Sequence, residues 1–137
     1  MTSPFDHHAA LVYTMVLVSA AEGDMSDREL GTIGQLVRQL PVFEDFDPER
    51  PIELGADCAE LLRAEDGLDR ALDLIAGALP AALRETAYAL ACDVAAADGR
   101  AVQEELRLLE MLRHRLGLER LVAAAIERGA TARHARG

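Results

Sequence analysis

Ala20-Ala21-Glu22-Gly23-Asp24-Met25-Ser26-Asp27-Arg28-Glu29-Leu30 aligns without gaps on Ala96-Ala97-Asp98-Gly99-Arg100-Ala101-Val102-Gln103-Glu104-Glu105-Leu106, at an offset of 76 residues. The register holds on both sides. Val16 and Val18 precede the first copy as Cys92 and Val94 precede the second, and Ile33, Leu36 and Leu40 fall over Leu109, Leu112 and Leu116. Apolar positions spaced by three and four residues make one face of a helix. Each copy therefore reads as helix, turn, helix. Gly23 and Gly99 suit the left-handed residue that ends a helix, and Ser26-x-x-Glu29 is a capping box that opens the next one. Two such hairpins related by a pseudo-two-fold predict a core of four helices, with residues 41–79 filling the gap between them.

The rest of the chain also reads as helix, because no segment sustains the period-two alternation of a half-buried strand. Ser3, Pro4 and Asp6 form a helix-start signal, and that helix runs to Glu22 and Gly23. The second starts at Ser26 and is stopped by Pro41. Further helices are expected over residues 52–64 and 68–79, and then from Pro80 through the uncharged stretch 86–92, which reads as the central helix. Residues 102–116 follow, Gly117 caps them, and a short last helix ends at Arg128. Residues 130–137 have little to bury and read as a flexible C-terminal tail on a single domain of residues 1–129. The expected architecture is all-α, a compact bundle of about six or seven short helices.

Composition narrows the function. Of 137 residues 24 are acidic and 14 basic, giving a formal net charge of −10 and a pI near 4.8. A nucleic-acid or anionic-lipid surface needs a basic face, so both are excluded as partners. Every basic residue is arginine, which removes lysine Schiff-base and phosphate-clamp chemistry. The excess acid lies in the first half, most densely at Glu44, Asp45, Asp47 and Glu49 between Pro41 and Pro51, where the chain is expected to form its one substantial loop. Cys58 and Cys92 carry no CxxC spacing and read as small buried hydrophobes, compatible with a cytoplasmic location. The uncharged run over residues 9–21 is too short to span a bilayer and lacks the flanks of a signal peptide.

Two sets of residues offer chemistry. Glu22, Asp24, Asp27 and Glu29 crowd one interhelical turn, and Asp98, Glu104 and Glu105 crowd its counterpart. If the two turns come together, these carboxylates supply the oxygen ligands of a hard cation such as Ca²⁺ or Mg²⁺. The same residues are equally what two helix starts need, since acids favour the N-terminal dipole and cap free N–H groups, with Gly23, Ser26 and Gly99 shaping the turns. The spacing is not that of an EF-hand. The second set is the acidic loop, where Phe43 and Phe46 either anchor it to the core or join Glu44, Asp45, Asp47 and Glu49 in a partner-binding patch. His7 and His8 are adjacent imidazoles without a third ligand nearby in sequence, and His114 and His134 stand apart from them. No nucleophile elbow, zincin helix or glycine-rich phosphate loop occurs, so no catalytic residues are assigned.

Small residues, an acid, a glycine, a short turn and a glutamate seven positions after that acid, repeated in both halves of a small acidic helical domain, resemble the tellurite-resistance TerB family. The family's relatives include the N-terminal domain of a membrane-anchored DnaJ-type co-chaperone. The resemblance covers about residues 8–117 and rests on the two copies quoted above, with Ala91-Cys92-Asp93-Val94-Ala95-Ala96-Ala97-Asp98-Gly99-Arg100 the more typical. It implies an all-α bundle, a bacterial tellurite and chemical-stress response, and no catalytic activity. The expected role is an interaction or scaffold module whose acidic surface meets a protein partner with a basic surface, such as a component of a membrane-associated stress complex. A divalent-cation module using the two turns is the alternative.

Overall fold

The computed structural model describes residues 5–21, 27–47, 49–97 and 103–137. They form an all-α bundle of seven helices: α1 (His7–Ala20), α2 (Asp27–Gln39), α3 (Arg50–Leu62), α4 (Gly67–Ala78), α5 (Ala81–Ala96), α6 (Gln103–Leu116) and α7 (Arg120–Arg133). A single 3-10 turn, Pro41–Phe43, follows α2.

The centre of the bundle is α1, with α5 against it. Every residue over 9–19 is buried, as expected for a helix that is apolar on all sides. It packs on α3, α4, α5 and α6 together. The uncharged run that is too short for a membrane is thus the most completely buried helix, and α5, expected from the sequence to be the central helix, packs against it and touches as many other helices. Thr14 and Ser19 are fully buried, and their hydroxyls donate to the carbonyls of Ala10 and Met15 at 2.7 and 3.1 Å, which satisfies them within the helix. Ala9 and Ala10 on α1 and Ala87 and Ala91 on α5 have no exposed surface. Side chains this small let the two helices approach closely.

The helix ends depart from expectation in three places. Asp6, not Ser3, is the N-cap of α1, accepting from the Ala9 N–H at 2.9 Å; Ser3 and Pro4 lie outside the described residues. Pro51 falls inside the first turn of α3, which starts at Arg50, because proline's fixed φ suits that turn. The last helix does not stop at Arg128 but continues to Arg133. Ala130 is buried, and Arg133 Nη2 and His134 Nε2 lie 2.7 and 3.3 Å from the Asp93 carboxylate on α5. Arg136 donates to the Ala97 carbonyl at 2.8 Å. Long-range polar contacts hold a segment whose own apolar content is too small to announce it.

Two glycines and one arginine organise the remaining joints. Gly67 sits where an added Cβ would lie 2.1 Å from the Leu61 carbonyl oxygen, so only glycine permits the tight step from α3 to α4. Gly117, with φ +68°, ends α6 as expected. Arg84 on α5 donates to three carbonyls, Ala76 at 2.9 Å, Leu79 at 3.3 Å and Leu116 at 3.1 Å. One guanidinium thereby closes the C-terminal ends of both α4 and α6, where carbonyls have no helical partner and cations are favoured.

Candidate functional site

The first-turn acids divide by burial. Asp27 and Glu104 are exposed, whereas Glu29 on α2 and Glu105 on α6, equivalent positions of the two copies, are 1% and 2% exposed. A carboxylate buried to that extent must have its charge met locally, and each of the two engages a neighbour. Glu22, Gly23, Asp24, Ser26, Asp98 and Gly99 lie outside the described residues. Among the described residues no three carboxylates, imidazoles or thiols gather as a metal's ligand set. Glu104 shares an apolar groove with Ala20, Ala21, Leu62 and Met111, so the start of α6 lies beside the end of α1. α6 packs along α5, while α2 reaches across to α5 rather than lying along α1, so the described helices do not pack as the two equivalent hairpins expected from the sequence.

The acidic loop is held from beneath. Phe43 is buried at 4% exposure and Phe46 packs against the same core. His8 packs against both rings, with ring centroids 5.8 Å from Phe43 and 4.6 Å from Phe46, and its Nε2 donates to the Val42 carbonyl at 2.7 Å. Arg50 lies 5.5 Å over the Phe46 ring and grips both carboxylate oxygens of Asp6 at 3.0 Å. Asp45 adopts φ +65°, a conformation that aspartate tolerates better than most residues. Asp47 accepts from the Glu49 N–H at 2.9 Å. Glu44, Asp45, Asp47 and Glu49 are left exposed on this platform.

The chain matches the model of the family described as tellurite resistance protein TerB over residues 8–128. The chain belongs to the TerB family. No curated protein and no solved structure matches it. Membership ties the chain to tellurite resistance, and the match spans all seven helices except His7 at the start of α1 and the last residues of α7. No described helix of this TerB domain is long and apolar enough to cross a membrane.

The cysteines of this TerB chain are not poised as nucleophiles. Burial pushes the thiols of Cys58 and Cys92 up to about 12, so both remain protonated at neutral pH, and protonated thiols attack poorly. One feature escaped the sequence reading altogether: a hollow over α5, between α6 and α7, lined by Tyr88, Cys92, Glu110 and Glu127 among others. It is assembled from three helices, and no local motif marks it.

Proposed function

We propose that this TerB-family protein is a non-catalytic interaction module of a tellurite or chemical-stress response, presenting the carboxylates of residues 44–49 to a basic protein surface. One observation carries the reading. The loop's rings point into the core while its carboxylates point to solvent. A platform fixed before binding loses little conformational freedom on association, and its charge speeds and orients encounter with a cationic partner. A membrane-associated stress complex with a basic cytoplasmic face is such a partner.

The test is charge reversal at Glu44→Lys, Asp45→Lys and Asp47→Lys, all exposed, so the fold should survive. Cells that depend on this protein for tellurite tolerance are expected to lose that tolerance with the triple variant, and the partner cross-linked to the wild type should be lost with it. Full tolerance in the triple variant would refute the loop as the docking surface.

Glu29 and Glu105 favour a second reading, a Ca²⁺ or Mg²⁺ site at the two repeat turns, because buried carboxylates at matching positions flank both turns. A ligand that binds only the folded state raises its melting temperature by mass action. Protein stripped with EDTA should then gain a saturable increase with millimolar Ca²⁺ or Mg²⁺, lost in Asp98→Asn. No shift with either ion leaves these acids as helix caps.

A further inference from the structure

The hollow over α5 has a volume of about 560 Å³, within the range of sites that enclose a small organic molecule. Its floor is made of small or apolar groups on α5, Cys92, Ala95 and Ala96, with Leu106 and Leu109 rising from α6. Three carboxylates line it: Glu110 on α6 and Glu127 on α7 on its two walls, and the buried Glu105 at the start of α6, which already engages a neighbour. The Tyr88 phenol donates to Glu127 Oε2 at 2.6 Å. Burial first, and then that hydrogen bond, hold the phenol well above its usual range, so it stays a donor and keeps the carboxylate in place. Among the described residues, Glu110 and Glu127 form no ion pair, and Arg113 is the one cation lining the hollow.

These groups select against most ligands. An anion meets Glu110 and Glu127, with Arg113 alone to offset them. A neutral apolar molecule fills the floor but strips water from the carboxylates without compensation. An apolar body carrying a single ammonium or guanidinium head satisfies both, with the body on the alanine and leucine floor and the head donating to Glu127 or Glu110. We propose that the α5/α6/α7 hollow is a binding site for a small amphipathic organic cation. This rests on neither the acidic loop nor the repeat turns.

The test titrates the full-length protein, in EDTA, with 1-naphthylmethylamine, using 1-naphthoate and 1-naphthylmethanol as anionic and neutral probes of the same ring. The chain has no tryptophan, so naphthalene fluorescence excited on the long-wavelength side of the tyrosine band reports binding. Saturable binding of the amine is expected, with the naphthoate weaker by at least about tenfold, the size of one charge-assisted hydrogen bond. Glu110→Gln with Glu127→Gln keeps the shape and the acceptor for Tyr88, and should abolish the preference for the amine. Ala95→Phe fills the floor and should weaken all three probes, with the circular dichroism spectrum unchanged. Absence of saturable binding of the amine, equal binding of the naphthoate, or an undiminished preference in the double Gln variant would each overturn the proposal. Should Ala95→Phe fail to fold, the double Gln variant still decides.

Discussion

Arg84→Met removes the guanidinium that serves Ala76, Leu79 and Leu116 while keeping most of the side chain's length and apolar stem. Each hydrogen bond from a charged donor is worth about 1.5–3 kcal/mol at full burial. Arg84 is half-buried, and water can reach part of the carbonyl set, so the three together should be worth about 3 kcal/mol rather than their full sum. For a chain of 137 residues this lowers the melting midpoint by about 10 °C. Arg84→Lys can serve only one of the three carbonyls at a time and should recover less than half of the loss. Urea denaturation followed by circular dichroism measures both variants, with an unchanged slope identifying a pure stability effect. If Arg84→Met costs less than about 1 kcal/mol, or Arg84→Lys matches the wild type, the clamp does not hold α4 and α6.

Three further outcomes follow from the packing. Burial raises the Asp6 carboxyl, but the Arg50 hydrogen bonds, the Ala9 N–H and the Arg50 charge outweigh it and leave its pKa lowered from 3.8; its contribution is therefore complete above that value and is lost as pH falls through the lower folded value. Acid unfolding curves of Asp6→Asn should lack this component below about pH 4 while matching the wild type's slope from pH 5 to 7. Asp93→Asn weakens the anchor for Arg133 and His134, so amide exchange should accelerate over residues 129–136 before it does elsewhere; uniform acceleration would instead mean global destabilisation. Cys58 and Cys92 should resist iodoacetamide at pH 7.5 in the native state and react fully in urea, and rapid native labelling of either would contradict thiols held near 12.

What the sequence announced and what it concealed have physical reasons. The stripes Leu30-Ile33-Leu36-Leu40 and Leu106-Leu109-Leu112-Leu116 carry the helical period by themselves, and α2 and α6 stand where they place them. The all-α class follows from the same local signal. The rank of α1 over α5 does not, since both are rich in uncharged residues and each touches four other helices; only the unbroken burial of residues 9–19, which α5 does not match, decides the matter. The end of α7 was hidden because Asp93, 40 residues away, supplies the partner of Arg133. At the candidate site, the acidic loop was plain from its charge, whereas its anchoring by His8 needed a contact across 34 residues. The hollow needed three helices to exist at all.

The central position of α1 also bears on how the chain is made. On the ribosome α1 emerges early, yet α5, its principal neighbour, begins at Ala81 and α6 at Gln103. At about 5–20 residues per second, several seconds pass before those faces are available. During that interval only α3 and α4, which are made first, can cover α1, and the side that meets α5 and α6 stays open. Closure of the core is thus a late, non-local event, and aggregation during synthesis should fall most heavily on variants that slow the docking of α5.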